Sequence, residues 1–129
     1  MLKVYGGARS RAAIIQWYLE ELEVPYEFVL LDMQAGEHLQ VDFLKINPMG
    51  KVPAIVDGDF QLWESGAILL YLAEKYGKIV YSLEEKAIFT QWALFANSSL
   101  GTGIFIREMP KTLEDVADLG SYICALDKG

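Results

Sequence analysis

Two short polar clusters in this chain of 129 residues put hydroxyl groups where a helix should begin. Arg9-Ser10-Arg11 sets one hydroxyl between two guanidinium groups, and Trp63-Glu64-Ser65-Gly66 sets another beside a carboxylate. The first N–H groups of a helix have no carbonyl one turn back, and the aligned peptide dipoles favour negative charge there. Each hydroxyl is therefore either a cap for its own helix or a donor to a bound anion, and the local pattern does not separate the two. Between them lies Lys51-Val52-Pro53, a proline at the start of a β-rich run. A ring that cannot donate a ladder hydrogen bond fits an edge strand, where it blocks further pairing. It also fits a place where the neighbouring backbone is kept for a ligand.

Composition narrows the chemistry. The net charge of -7 argues against a nucleic-acid surface, which needs clustered Lys and Arg, so any anion site must be local. With 53% hydrophobic and 12% aromatic residues, the chain can bury a real core. The single cysteine, Cys124, excludes an internal disulfide, a CxxC redox pair and a cysteine zinc site; it reads as a small buried hydrophobe, and no metal site is predicted. The N-terminus lacks a signal-peptide core and no run is long enough to span a bilayer, so the expectation is a soluble, cytoplasmic protein without membrane partners.

The elements that must position these clusters follow from periodicity. Leu2 to Tyr5 reads as a strand closed by Gly6-Gly7. From Ser10 to Glu23, Ile14, Ile15, Tyr18, Leu19 and Leu22 recur at helical spacing, and Val24-Pro25 ends the run. Tyr26 to Leu30 is a second strand, and Gly36 to Ile46 a weakly patterned helix stopped by Asn47-Pro48-Met49-Gly50. Ala54 to Val56 and Phe60 to Trp63 form a hairpin around Asp57-Gly58-Asp59. A helix capped at Ser65 runs to Tyr76, with Gly77 suited to its C-terminal cap. The order βαβαββα is the thioredoxin-like plan: an α+β domain over residues 1–77, with a linker over 78–82. Ser82-Leu83-Glu84-Glu85 then opens a helix to about Leu100 with a wide apolar face, the start of an all-α domain over 83–129.

Three segments, KVYGGARSRA, FLKINPMGKVPAIVDGD and QLWESGAILLYLAEKYG, resemble in their order and spacing the cytosolic glutathione transferases, the plant-type and bacterial serine classes above all. The resemblance implies a cis bond before Pro53 that turns the Val52 N–H and C=O toward an extended peptide, glutathione, which adds as an antiparallel partner. It further implies that Ser65 and its backbone N–H hold the γ-glutamyl carboxylate and Glu64 the ammonium. His38 and Lys51, with Lys45 as a weaker candidate, would meet the glycine carboxylate. Ser10 stands where the serine classes place the hydroxyl that donates to the thiolate. Arg11 departs from that pattern and could carry the stabilisation instead; Tyr5 is the tyrosine-class substitute. A free thiol has a pKa of about 8.5, so a thiolate at neutral pH needs about 2.7 kcal/mol of help. One hydrogen bond to a charged group supplies about 1.5–3 kcal/mol.

The implied activity is conjugation of glutathione, as co-substrate, to small hydrophobic electrophiles, in the manner of a detoxification enzyme. The alternative is a binding or regulatory protein on the same fold. A dithiol mechanism is excluded by the absent CxxC. The helical domain is short for this family: Val116 to Tyr122 resembles a capped helix that arrives too soon, so that domain reads as incomplete. Phe95, Leu100 and Phe105 are candidates for the electrophile wall. A homodimer is expected, because Trp63 and the helix from Leu83 to Leu100 offer apolar surface that one short chain leaves open.

Overall fold

The computed structural model describes residues 1–77 and 82–100. The chain divides into two compact units, Met1–Ser82 and Leu83–Gly129. The first is a four-stranded mixed sheet with strand order β2-β1-β3-β4, built from β1 (Leu2–Gly6), β2 (Tyr26–Leu30), β3 (Ala54–Asp57) and β4 (Phe60–Trp63). Strand β2 runs parallel to β1, whereas β3 is antiparallel to both β1 and β4. The helices are α1 (Ala12–Glu21), α2 (Val41–Leu44) and α3 (Ser65–Tyr76). This is the thioredoxin-like α+β order that the sequence predicts.

One core joins the sheet to α1 and α3. Val4, Ile15, Leu19, Ile55, Ile68 and Leu72 are fully buried there, with Leu2 nearly so. In α1 the buried set is Ala12, Ile15 and Leu19, spaced three and four apart, so one helical stripe faces the sheet. Ile14 and Trp17 lie off that stripe and remain exposed. Gly6 permits the close approach, since a methyl group there would come within 2.3 Å of the Ala12 Cβ. The helix stops before Pro25, when Glu23 turns left-handed at φ 55° and the Val24 N–H donates to the Leu19 carbonyl at 3.0 Å.

Several expectations are corrected. The predicted second helix over 36–46 is two short pieces, a 3-10 turn at Glu37–Leu39 and then α2, because Gln40 between them is extended at ψ 154°. His38 therefore lies on the 3-10 turn and not on α2. Pro53 does not mark a sheet edge: it precedes β3, which has β1 on one side and β4 on the other. Ser65 is the first residue of α3, and the cap position belongs to Glu64. Gly77 ends α3 at φ -64° and is not left-handed; a Cβ there would lie 2.2 Å from the Ala73 carbonyl oxygen, so what it supplies is space.

In the second unit, α4 (Leu83–Leu94) continues as a π-helical turn over Phe95–Leu100. Ile88, Trp92 and Phe95 are exposed, and the Trp92 and Phe95 rings meet edge to face at 5.7 Å. Cys124, Phe105 and the stretch from Val116 to Tyr122 lie outside the described residues, as does the linker apart from Ser82.

At the hairpin end of the sheet, Asp57 accepts hydrogen bonds from Lys75 and, at 2.8 Å, from the Tyr71 hydroxyl. These bonds pin α3 to the β3–β4 turn, where Gly58 takes the positive φ of 64°. The Lys75 ammonium holds the Asp57 carboxyl below its ordinary value, against a smaller opposing effect of burial. A carboxylate with a lowered folded-state pKa contributes stability above its unfolded value of about 3.9, and that contribution is lost as pH falls through the folded value. Asp57→Asn is therefore expected to lower unfolding stability at pH 7 and to converge on the parent in acid. Urea unfolding at pH 7 and below pH 4 checks this, and a pH-independent difference between the two proteins would contradict it.

Candidate functional site

Strand register collects the chemistry-bearing segments at one end of the sheet. Tyr5 pairs with Ala54 and Ala54 with Trp63, so the ends of β1 and β4 and the start of β3 lie side by side. Gly6 pairs with Leu30 of the parallel strand, which brings the exit of β2 to the same end. Four backbone segments consequently emerge together: 7–11 after β1, 31–39 after β2, 51–53 before β3 and 64–65 after β4. They carry Ser10 and Arg11, His38, Lys51 to Pro53, and Glu64 with Ser65.

Ser10 lies in the loop before α1, half-buried. Its Oγ accepts the Gly7 N–H at 3.0 Å and the Ala12 N–H at 3.2 Å, and its hydroxyl donates to the Gly7 carbonyl at 3.0 Å. A hydroxyl has one proton and two acceptor positions, so all three are in use. Ser10 thus takes one first-turn N–H of α1 and folds the loop back on Gly7. Arg11 occupies the cap position of α1, half-buried, and makes no side-chain cap bond. Tyr5 sits in β1 with its ring 5.8 Å from that of Phe43.

Val52 and Pro53 are joined by a cis peptide, as the resemblance implies. Their loop is organised by Asn47, which the sequence marks only as a turn former. Asn47 is 1% exposed. Its Nδ2 donates to the Lys51 carbonyl at 2.7 Å, its Oδ1 accepts the Met49 N–H at 2.9 Å, and its own carbonyl accepts the Gly50 N–H at 3.0 Å. Asparagine before proline is the available signal, since its amide can bond the backbone two residues on. Gly50, at φ 63°, closes the turn; a methyl group on it would meet Leu39 at 2.9 Å and the His38 carbonyl at 3.1 Å. The turn carrying His38 therefore packs directly against the residue before Lys51. His38 is half-buried, and its Nδ1 is buried without a partner. Lys51 is exposed, whereas Lys45 forms an ion pair with Asp42 at 3.8 Å.

At the mouth of α3, Glu64 is held at φ 76° and ψ 115°, a region that costs a residue with a side chain on the order of 1–3 kcal/mol. Its carbonyl accepts the Ile68 N–H at 2.9 Å, which starts the helix. The Glu64 side chain is exposed and Ser65 is buried at 5% exposure. A twelve-residue helix thus begins at the end of the sheet where the Val52 loop enters β3.

Comparison with known proteins agrees with this arrangement. A sequence profile described as the glutathione S-transferase N-terminal domain matches residues 1–74. This chain belongs to the glutathione S-transferase family. It is 35% identical to the glutathione S-transferase hmp2 of Hypomyces subiculosus, over 99% of this chain and 70% of that protein. It is 37% identical to the disulfide-bond oxidoreductase YfcG of Escherichia coli K12, over 78% of this chain and 51% of YfcG. Among solved structures, the glutathione transferase URE2P6 of Phanerochaete chrysosporium in complex with oxidized glutathione superposes with a TM-score of 0.76 at 30% identity, over 97% of this chain and 64% of that one. The chain thus spans about half to 70% of the length of these relatives. The alignment with hmp2 extends over 149 positions, more than the residues of this chain, so that relative carries residues with no counterpart here. Among the described residues, no three His, Cys, Asp or Glu side chains are grouped to hold a metal ion, and no helix is long and apolar enough to cross a membrane.

Asn47→Ala removes two side-chain bonds, to the Lys51 carbonyl and the Met49 N–H. Because Lys51 and Met49 are exposed and water can replace the lost partner, the expected cost is about 0.5–1.5 kcal/mol for each bond, read as a lower denaturation midpoint in urea. An unchanged midpoint would mean that the loop holds its shape without Asn47.

Proposed function

We propose that this chain binds glutathione across the end of the sheet and activates its thiol for transfer to small hydrophobic electrophiles. The observation that carries the reading is the register, which sets a helix mouth, the backbone segment that enters β3 and a hydroxyl side by side in a glutathione S-transferase framework. In this reading the γ-glutamyl carboxylate takes the Ser65 hydroxyl and backbone N–H at the start of α3, and Glu64 takes the ammonium. The Val52 backbone, which lies beyond the end of β3 and outside the ladder, pairs with the cysteinyl residue. His38 and Lys51 meet the glycine carboxylate; the packing of the His38 turn against Gly50, next to Lys51, supports that placement.

The thiol then lies near Ser10 and Arg11, in a serine-type arrangement. Ser10 reaches it at the cost of its bond to the Gly7 carbonyl. The exchange is favourable in kind, because a hydrogen bond to a charged group contributes about 1.5–3 kcal/mol against about 0.5–1.5 for a neutral one. The thiolate attacks the electrophilic carbon and the C–S bond forms; in a substitution the bond to the leaving group breaks and that group departs with the electron pair, and in an addition the carbanion of the adduct is protonated by solvent. The exposed Trp92 and Phe95 suit burial in a homodimer, and the chain's place is the cytoplasm.

A second reading is favoured by the likeness to YfcG, named a disulfide-bond oxidoreductase. A protein dithiol is not required for that chemistry. The glutathione thiolate attacks one sulfur of a disulfide and its S–S bond breaks, releasing a thiolate. A second glutathione thiolate then resolves the mixed disulfide, giving oxidised glutathione. Both readings need the same activated thiol, so turnover of a chloronitrobenzene against turnover of a low-molecular-weight disulfide separates them. Retention on immobilised glutathione without either turnover would leave a binding protein.

Ser10→Ala is expected to raise the pKa of bound glutathione by about 1–2 units and to cut turnover at neutral pH by about 10- to 100-fold. Glutathione affinity should change little, since the peptide is held at Val52, Glu64 and Ser65. If Arg11 carries the stabilisation, Arg11→Ala shows that loss and Ser10→Ala does not. Thiolate absorbance of bound glutathione, titrated in both variants, decides; both matching the parent would refute thiol activation by this loop.

A further inference from the structure

We propose that Met33, which no sequence signal singled out, is a positioning residue for the thiol-activating loop and acts on Ser10 through Gly7. A methyl group on Gly7 would lie 2.7 Å from the Met33 Cγ and 3.4 Å from its Sδ, with the Ser10 Cβ 3.8 Å away. Met33 and Ser10 therefore close on the same point of Gly7. The Ser10 hydroxyl is bonded to both polar groups of Gly7, and the Met33 thioether covers the face where a side chain would stand. Glycine is the residue with most backbone freedom, so its position here is set by these contacts.

Met33 is delivered by a segment that has little freedom of its own. Asp32 Oδ1 accepts the N–H groups of Gln34 and Ala35, each at 3.0 Å, and Glu37 Oε2 accepts the Asp32 N–H at 2.7 Å. The Met33 carbonyl accepts the Gly36 N–H at 3.3 Å, and the Leu31 N–H donates to the Gly6 carbonyl at 2.8 Å. The segment is thus tied to itself and to the end of β1, next to Gly7. Methionine suits the contact, since its unbranched thioether fills an irregular gap without a fixed shape. Its truncation leaves Gly7 uncovered, the 7–10 loop wanders, and the Ser10 hydroxyl spends less time within bonding distance of a thiolate. A hydrogen bond of this kind weakens steeply with distance and angle, so small displacements are enough.

The catalytic arm of this inference rests on the glutathione reading, and its structural arm does not. In the ligand-free protein, Met33→Ala is expected to speed amide exchange of the Gly7 and Ala12 N–H groups, both donors to Ser10, by about tenfold or more relative to buried β1 amides. With glutathione bound, Met33→Ala should raise the thiol pKa by about one unit and lower kcat at neutral pH by about tenfold, with KM for glutathione within about twofold. Met33→Leu, which refills the gap, should restore both. Met33→Val makes a smaller cut, expected to give an intermediate exchange rate, and serves if the alanine variant does not fold. Parental exchange at Gly7 and Ala12 in the truncated variants would overturn the proposal, as would a leucine variant as impaired as alanine. A parent protein with an unshifted bound thiol would instead refute the function reading, leaving the exchange result to judge the contact alone.

Discussion

The site depends on strand register. Because β1 and β2 run in parallel and β3 turns back against β1, the exits of β1, β2 and β4 and the entrance of β3 share one end of the sheet. Side chains far apart in sequence are brought together by backbone hydrogen bonds that none of them makes. A slip of one residue in β3 would turn every side chain of the strand to the other face and move Val52 away from the mouth of α3. The slip is resisted by burial: Ala54 and Ile55 are completely enclosed, and Ile55 packs in the same core as Ile15 and Ile68.

Around that row, the two ends of the sheet are treated differently. At the hairpin end the polar groups are matched, with Asp57, Tyr71 and Lys75 tying helix to turn. At the opposite end they are less well matched: His38 Nδ1 is buried without a partner and Glu64 is held at an unfavourable φ. Such departures persist where the surroundings over-determine them, and they cluster where ligands bind. Asn47 supplies part of that over-determination by fixing the turn before Val52 with three hydrogen bonds.

The loops are coupled by packing as well as by register. The segment that leaves β2 touches Gly7 through Met33 and Gly50 through Leu39 and the His38 carbonyl. One stretch of chain therefore abuts both the loop that follows β1 and the loop that precedes β3. Glycine at both contacts is a matter of space, and at Gly50 also of a positive φ.

Much of this was determined by the sequence alone. Periodicities of two and of about 3.6 residues define the strands and α1 and α3, because each must turn one face to a shared core, and the three quoted segments carry the family. Their local chemistry also marks Ser10, Val52-Pro53 and Glu64-Ser65. The second helix was not legible, since a single extended residue, Gln40, splits it and leaves little apolar pattern. Nor was the setting of Pro53: a proline that begins a strand looks the same at an edge as in the centre, and only long-range pairing of β3 with β1 and β4 makes it central. The same holds for Asn47, Met33 and Gly77, whose partners are backbone atoms or contacts that no composition reports. Local periodicity follows from the chain's own geometry, whereas which groups are buried, bonded or left unmatched is decided by segments that meet only when the sheet closes.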